Sequence, residues 1–407
     1  MLYLYIYMSE SEKLLTSKNF LSGGKLLAEG GYGCVFSPGI NCNGKSMKNK
    51  KYVSKIQRHD LSAKNEIQIG KKIEELSGYE DHFAPVLKYC EIDIATIEDK
   101  EKDKCSIFKK SNTSDYIVMK LQYIEGEDFM DYLINQKNSI QLVSNIILSF
   151  NHLLKSLTML ESKFIVHYDL KGTNILYNIN KEIPLLIDFG LSVNMLTLTN
   201  EKLKRIFYVY APEYYIWPLE THYLCYLINK NKDPDSSELN DIAKAYVDNN
   251  KALQKNFSPD FLKKYKKKCV NQLEIYNKLT FDKKVKKILK YWKTFDNYSL
   301  SIMYLKFLYY ININGFIDNK FITFLSKLLL QNIDPNPDKR LSLIETMHTF
   351  NTFLYQKNIN NVKTFEELTG SFINNKKKLE NEITNDKNDS LSETKTMRVQ
   401  RRESMSS

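Results

Sequence analysis

The sequence predicts an α+β fold, with a small β-rich lobe first, a larger α-helical lobe after it and a disordered polar tail. Two changes of pattern along the chain predict this division. Short runs of β-branched and aromatic residues dominate as far as about Ile124, whereas beyond Gly126 apolar residues recur at helical spacing. After about Asn358, large apolar side chains are too few to offset the entropy cost of ordering the chain.

The β-rich part contains five strand-like runs and one helical run. The strand-like runs lie at residues 26–27, 34–36, 52–56, 86–94 and 116–121. A helix is predicted over residues 63–76, where Ile67, Ile73 and Leu76 recur at helical spacing. The charged run at residues 98–110 separates the last two strands, and its composition predicts a solvated loop.

The helical part begins with an amphipathic stretch at residues 142–157. Residues 298–310 are apolar nearly all round, which predicts a buried central helix. Between them, residues 221–293 predict a Lys-rich helical insertion that contains the run KKYKKK, Lys263–Lys268. Such an insertion could dock an acidic protein or a nucleic acid, but the lack of an aromatic stacking platform favours a solvated helix.

Composition and cysteine usage predict a soluble, cytoplasmic protein. Of the 407 residues, 43% are apolar and 26% are charged, as in globular proteins. The eight apolar residues at the start are too few for a membrane span or a signal peptide, so no membrane partner is expected. The six cysteines stand far apart with no C-x-x-C pair, which argues against zinc, against a disulfide framework and for a reducing compartment. They are Cys34, Cys42, Cys90, Cys105, Cys225 and Cys269.

A glycine-rich turn between the first two strands is a candidate phosphate-binding loop. Glycines let backbone N–H groups approach phosphate oxygens without a Cβ in the way, although such hairpins are common. Lys55 follows inside a strand, where a lysine is costly unless it meets an anion, and Glu66 on the next helix is its natural partner. The candidate loop residues are Ala28, Glu29, Gly30, Gly31, Tyr32, Gly33 and Val35.

Two short loops bounded by apolar strands carry the most specific pattern. The first contains Asp169, Lys171 and Asn174, and nineteen residues after Asp169 comes Asp188 in Asp-Phe-Gly. Two carboxylates and a carboxamide make a hard-oxygen site that suits Mg²⁺, with one carboxylate left to receive a hydroxyl. Phosphoryl transfer requires positioning and charge neutralisation of this kind.

In this order the motifs resemble the protein kinase family over about residues 26–350. Its Gly-rich loop is similar to residues 28–35, its strand lysine to Lys55 and its helix glutamate to Glu66. Its catalytic loop resembles residues 167–174, and its metal-binding motif resembles residues 188–190. The end of its activation segment resembles Ala211-Pro212-Glu213, and the residues that follow are similar to kinases of large DNA viruses.

The resemblance implies a bilobal kinase fold that uses ATP and Mg²⁺ to phosphorylate Ser or Thr hydroxyls of proteins. Asp169 would orient the substrate hydroxyl and accept its proton, while Lys171, typical of the Ser/Thr branch, would offset charge on the γ-phosphoryl group. Lys55, steadied by Glu66, would contact the α- and β-phosphates. Asn174 and Asp188 would hold the metal, and Leu121, Gln122, Tyr123 and Asp128 would surround the adenosine.

Further matches and departures concern the support of the catalytic loop. Asp296 resembles the family's buried aspartate that braces this loop, and Arg340 resembles the arginine that pairs with Glu213. Tyr168 replaces the arginine that binds a phosphorylated activation segment, so the usual phosphate switch is not expected. Ile206 stands where a threonine usually touches the catalytic aspartate.

The predicted organisation has four parts: an N-terminal extension (1–20), the first lobe (21–123), the second lobe (124–358) and the polar tail (359–407). Proteins with accessible Ser or Thr are the expected partners, and nucleic acid is not. Two alternatives remain open, a pseudokinase that acts as a scaffold and a small-molecule phosphotransferase. The four residues Lys55, Asp169, Asn174 and Asp188 argue against the first, and Lys171 argues against the second.

Overall fold

The first lobe is built on a five-stranded antiparallel sheet. The computed structural model describes residues 24–30, 33–97, 102–109, 115–134, 139–312 and 320–355, together with Met397. The predicted extension at 1–20 lies outside these residues, as does the tail at 359–407 apart from Met397. The sheet order is β1-β2-β3-β5-β4, with β1 (Lys25–Glu29), β2 (Gly33–Ser37), β3 (Tyr52–Arg58), β4 (Val86–Ile92) and β5 (Tyr116–Gln122).

One helix, α1 (Leu61–Ile73), packs on this sheet. Asp60 caps its start by accepting a hydrogen bond from the Ala63 amide, which satisfies one of the unpaired N–H groups of the first turn. Its apolar stripe then faces the sheet, where Ile67 packs with Val86 and Met119. The predicted helix is therefore confirmed, although it ends three residues earlier than the periodicity suggested.

Two disulfides link the cysteines of the first lobe, so the prediction that the cysteines form no disulfide framework is wrong. Cys34 pairs with Cys105, and Cys42 pairs with Cys90. Sequence spacing failed here because the partners are 71 and 48 residues apart and only the sheet brings them together. The other two cysteines, Cys225 and Cys269, are buried in the second lobe.

The charged connection between β4 and β5 is not wholly solvated, contrary to expectation. Its described part contains a short helix, α2 (Ser106–Lys109), with Cys105 and Ile107 buried against the sheet. The Tyr116 hydroxyl also donates to the Ile107 carbonyl at 3.1 Å. The disulfide and this hydrogen bond hold a polar sequence against the core, which composition could not reveal.

The second lobe combines a small β layer with a helical body. The β layer comprises a three-stranded sheet in the order β6-β8-β9 and the pair β7–β10. Its strands are β6 (Gly126–Asp128), β7 (Ile165–Val166), β8 (Ile175–Asn178), β9 (Ile183–Leu186) and β10 (Val193–Asn194). The helices are α3 (Phe129–Ile134), α4 (Ser139–Ser162), α5 (Asn200–Ile206), α6 (Leu219–Lys230), α7 (Ser236–Asp248), α8 (Lys251–Asn256), α9 (Pro259–Asn277), α10 (Phe281–Leu289), α11 (Phe295–Asn312), α12 (Lys320–Asn332) and α13 (Leu343–Tyr355).

Helix α11 runs through the core of this lobe, as its apolar composition predicted. Tyr298, Leu300, Ile302, Tyr304 and Leu305 are all buried, although they point in different directions around the helix. Helix α9 is amphipathic, and the KKYKKK run lies on it. Within that run Tyr265 faces the core while most of the lysines are exposed, so the run forms the outer side of an ordinary surface helix.

No helix among the described residues is long and apolar enough to cross a membrane.

Candidate active site

A buried ion cluster joins the two lobes. The register of β3 between β2 and β5 places Lys55 opposite Val35 on one side and Met119 on the other. Its ammonium lies 2.7 Å from Glu66 Oε2 on α1 and 3.0 Å from Asp188 Oδ1. Lys55 and its predicted partner Glu66 are thus in contact.

The charges in this cluster depend on one another. Burial disfavours the ammonium of Lys55, but the carboxylates of Asp188 and Glu66 outweigh it and raise the pKa of Lys55. Burial raises the pKa of Glu66, with the nearby Asp188 acting in the same direction and Lys55 opposing both. The lysine therefore stays charged at physiological pH and can hold anionic groups at the cleft.

Helix α1 is also fastened directly to the segment that follows Asp188. The Asn65 amide group donates to the carbonyls of Gly190 at 3.2 Å and Ser192 at 2.8 Å. The Ser62 hydroxyl donates to the same Gly190 carbonyl at 3.3 Å. These hydrogen bonds hold the helix that carries Glu66 against the segment after Asp188. The sequence does not predict them, because Asn65 is an ordinary polar residue in a helix.

The loop after β7 brings Asp169, Lys171 and Asn174 together. The Lys171 ammonium lies 3.2 Å from Asp169 Oδ1 and 3.1 Å from Oδ2. The Asn174 amide group donates to Asp169 Oδ2 at 3.0 Å and to the Asp169 carbonyl at 2.8 Å. All three side chains are more than nine-tenths buried, so their mutual contacts act with little screening by water.

Asp296, at the start of α11, braces this loop from below. Its carboxylate accepts hydrogen bonds from the backbone amides of His167 at 2.7 Å and Tyr168 at 3.0 Å. Tyr168 has a φ of 65°, in the left-handed region where a non-glycine residue is strained. The bond to its amide helps to hold that conformation, which agrees with the bracing role that the resemblance implied for Asp296.

Two aromatic residues of the activation segment pack on the same loop. The Tyr214 hydroxyl donates to Asp169 Oδ1 at 2.6 Å, and the Trp217 indole N–H donates to the Tyr168 carbonyl at 2.7 Å. The Trp217 ring stacks on Tyr168 with centroids 4.7 Å apart. The hydroxyl that touches Asp169 therefore comes from Tyr214, so the position assigned to Ile206 is a register error.

The expected pairing of Arg340 with Glu213 is also wrong. Arg340 Nη1 and Nη2 lie 2.7 Å and 2.9 Å from the two carboxylate oxygens of Glu220, and both side chains are fully buried. Glu213 is exposed. The sequence Trp217-Pro218-Leu219-Glu220 is thus the part that anchors the end of the activation segment.

Most of the residues predicted to contact the nucleotide lie in the described part of the chain. Gly31 and Tyr32 lie outside the described residues, whereas Ala28 and Glu29 end β1. A Cβ at Gly33 would lie 2.6 Å from the Ile56 carbonyl oxygen, so this glycine is required by the close approach of β2 and β3. The Glu29 carboxylate accepts hydrogen bonds from the Ser106 amide and hydroxyl.

The backbone hydrogen bonds beside β3 and β5 continue into the hinge, the segment after β5 that is predicted to contact the adenine. The Tyr123 amide donates to the Lys51 carbonyl at 2.9 Å, so it is not available for an adenine edge as the sequence suggested. Leu121 packs against the apolar cluster of α1 and the sheet, and Gln122 lies opposite Tyr52. Asp128 caps α3 by accepting from the Met130 amide at 2.8 Å.

Asn174 and Asp188 fit a magnesium site in chemistry. Asn174 donates to Asp169 through its amide nitrogen, and Asp188 accepts from Lys55 through Oδ1. Among the described residues, no cluster of three or more His, Cys, Asp or Glu could hold a metal. A site of one carboxylate and one carboxamide suits Mg²⁺ when substrate phosphates supply further ligands.

Comparison with known proteins agrees with this geometry. The model of the protein kinase domain family matches residues 22–216. The chain carries a protein kinase domain. The five-stranded sheet and the helical lobe are the two lobes of that kinase domain.

Two curated relatives from Dictyostelium discoideum are similar to parts of this chain. The dual specificity protein kinase zakA is 30% identical over 95 residues, which are 23% of this chain and 12% of zakA. A probable serine/threonine-protein kinase is 40% identical over 93 residues, which are 21% of this chain and 13% of that protein. The matches thus span about an eighth of each relative. Neither relative is viral, so the resemblance to viral kinases stays a prediction.

Proposed function

We propose that this protein kinase uses ATP and Mg²⁺ to phosphorylate Ser and Thr hydroxyls of other proteins. The observation that carries the proposal is the ammonium of Lys55 held between Glu66 and Asp188, beside the cluster of Asp169, Lys171 and Asn174. A cation, a hard-oxygen pair and a carboxylate base in one cleft are the parts that phosphoryl transfer requires.

Each residue then has a defined task. Lys55 binds the α- and β-phosphates of ATP, and Glu66 keeps its ammonium in place. Asn174 and Asp188 would hold Mg²⁺, which when bound neutralises charge on the phosphates. Asp169 orients the substrate hydroxyl and takes its proton as the oxygen–phosphorus bond forms and the bond to ADP breaks. Lys171 offsets charge on the γ-phosphoryl group.

The adenine site is proposed one residue further along the hinge than the sequence indicated. Because the Tyr123 amide is bonded to Lys51, the backbone of Ile124 is the next candidate to meet the adenine edge. Leu121 would then line the back of the pocket, and the phosphates would lie beneath the turn that contains Gly30 and Gly33. Asp128, whose Oδ1 caps α3, would lie beside the ribose.

Substrate class and location are the finer parts of the proposal. Lys171 favours Ser and Thr, whereas one relative carries the words dual specificity in its name. Phosphoamino-acid analysis of the products decides this point, and predominant phosphotyrosine would contradict the Ser/Thr assignment. The expected cytoplasmic location stays a prediction, and the two disulfides weigh against a reducing compartment.

The alternatives differ from the kinase in what they need from the site. A scaffold has no use for the buried charged groups of this site, and burying charged groups costs stability. Their presence therefore weighs against a scaffold. A small-molecule phosphotransferase would share the catalytic loop. Supplying labelled ATP, Mg²⁺ and a protein mixture separates the protein kinase from both alternatives, because only a protein kinase labels proteins.

We predict that Asp169→Asn and Lys55→Met each lower phosphoryl transfer by about a hundredfold or more, or roughly 3–4 kcal/mol, without unfolding the protein. Matched controls are Asp282→Asn and Lys88→Met, which remove the same groups from exposed positions. Turnover is measured with labelled ATP, and folding is checked by circular dichroism. A folded Asp169→Asn protein with wild-type turnover would show that Asp169 is not the base.

A further inference from the structure

Tyr214 makes the shortest described hydrogen bond to the proposed catalytic base. Its hydroxyl lies 2.6 Å from Asp169 Oδ1, and it is 1% exposed. The ring is held on its other side by an edge contact with Trp217, with centroids 5.2 Å apart. Trp217 in turn stacks on Tyr168, the residue next to Asp169. The phenol therefore reaches the base from a rigid aromatic support.

The carboxylate of Asp169 is saturated with donors. A carboxylate offers about four lone-pair positions to hydrogen-bond donors. Oδ1 receives Tyr214 and Lys171, and Oδ2 receives Asn174 and Lys171. A substrate hydroxyl can bind only after one of these donors leaves. An arriving phosphate would draw Lys171 away, because its charged ammonium is attracted to anions and stands on a flexible four-carbon stem.

We propose that Tyr214 is a positioning residue that keeps Asp169 in its reactive orientation after Lys171 has turned to the nucleotide. The inference rests on the proposed function, since Asp169 must be the base. With Lys171 turned away, Oδ2 remains bonded to Asn174 and Oδ1 to Tyr214, which fixes the plane of the carboxylate. Each oxygen then keeps one position for the incoming hydroxyl.

A phenol suits this task for a physical reason. Tyrosine has two rotatable side-chain bonds, and here the ring is buried against Trp217, so little entropy is lost in aiming the hydroxyl. A small misorientation of the Asp169 carboxylate lowers the rate substantially, since proton transfer requires the reacting atoms to be aligned. Removing only the hydroxyl should therefore affect turnover rather than binding of the nucleotide.

The test is Tyr214→Phe, which keeps the ring. The matched control is Tyr223→Phe, because the Tyr223 hydroxyl is also bonded to a side chain, Asn277 Oδ1 at 2.9 Å, in a buried part of the second lobe. We expect Tyr214→Phe to lower kcat about tenfold or more and to leave KM for ATP within about twofold. We expect Tyr223→Phe to keep both constants. Thermal unfolding of both variants shows whether they lose similar stability.

The outcomes separate this inference from the proposed function. If the wild-type protein labels no protein, the proposed function fails and the inference fails with it. If the wild type is active and Tyr214→Phe keeps or raises kcat, the proposed function stands and the positioning role is wrong. Phosphate found on Tyr214 by mass spectrometry would also overturn it, because the hydroxyl would then be an acceptor.

Discussion

Glu213 and Glu220 stand seven residues apart and have opposite environments. Glu213 is exposed, whereas Glu220 is fully buried in a two-bond pair with Arg340. The charge of Arg340 is secured by this contact: burial alone would lower its pKa, but the Glu220 carboxylate outweighs burial and raises it. The pair joins the end of the activation segment to the loop before α13.

We therefore predict that Glu220→Ala lowers the free energy of unfolding by about 3–5 kcal/mol, since it leaves a buried guanidinium unpaired. Glu213→Ala should change it by less than about 0.5 kcal/mol, as expected of an exposed side chain. Urea unfolding followed by tryptophan fluorescence measures both values. Equal losses in the two variants would contradict the anchoring role of Glu220.

Individual residues were predictable where chemistry and spacing are both restrictive. Lys55, Glu66, Asp169, Asn174 and Asp188 could be placed in one site because a strand, a helix and two short loops leave few alternatives. The activation segment offered two registers instead, since Pro212-Glu213 and Pro218-Leu219-Glu220 both fit its end. The packing of Trp217 on Tyr168 and the pairing of Arg340 with Glu220 select the second register, and both contacts join residues far apart in sequence.

At the scale of elements, the Cys34–Cys105 disulfide fastens the β1–β2 hairpin to the connection between β4 and β5. Cys34 directly follows Gly33 at the proposed phosphate loop, and Cys105 directly precedes α2. The neighbouring bond between Glu29 and the Ser106 amide, 3.0 Å long, reinforces the attachment. The second disulfide, Cys42–Cys90, joins the β2–β3 connection to β4, away from that loop.

We predict that the double variant Cys34→Ser, Cys105→Ser raises KM for ATP about threefold to tenfold, a loss of about 1 kcal/mol in binding. The control is Cys42→Ser, Cys90→Ser, which should keep KM while losing a similar stability. The chain-entropy model gives about 4 kcal/mol for either loop. Steady-state kinetics and thermal unfolding provide the two readouts. An unchanged KM in the first variant would show that the disulfide does not position the phosphate loop.

Elements with a clear apolar period were predictable, and connections were not. Helix α1 and the strands β2 to β5 follow from their residue patterns, because one face of each must be buried. Helix α11 is predictable for a related reason, because a helix that is apolar on all sides must be buried on all sides. The ordered part of the β4–β5 connection could not be predicted, because a disulfide and a tyrosine hydroxyl hold its polar sequence in place.

At the scale of the whole molecule, two buried histidines link stability to pH. Burial lowers the pKa of His82 to about 4 and that of His222 to about 3. In the unfolded chain both titrate near 6.5. The unfolded state therefore binds more protons between these values, so stability is complete above about pH 6.5 and falls as the pH falls towards 4.

Each histidine contributes a slope of up to about 1.4 kcal/mol per pH unit in that window. We predict that His222→Phe flattens the pH dependence of the unfolding free energy between pH 6.5 and 4.5. The control variant is His348→Phe, which makes the same replacement at an exposed position on α13. Urea titrations at several pH values measure both. Parallel curves for wild type and His222→Phe would refute the assignment.

The disulfide pattern has a consequence for the order of events during synthesis. All four paired cysteines lie within the first 105 residues, and the 42–90 link is nested inside the 34–105 link. A ribosome releases the N-terminal part first, and domains fold largely in that order. Four cysteines allow three pairings, and this choice arises before Cys225 and Cys269 leave the exit tunnel. Disulfide formation in the first lobe thus needs no thiol from the second lobe. The second lobe can then fold against a first lobe that is already cross-linked.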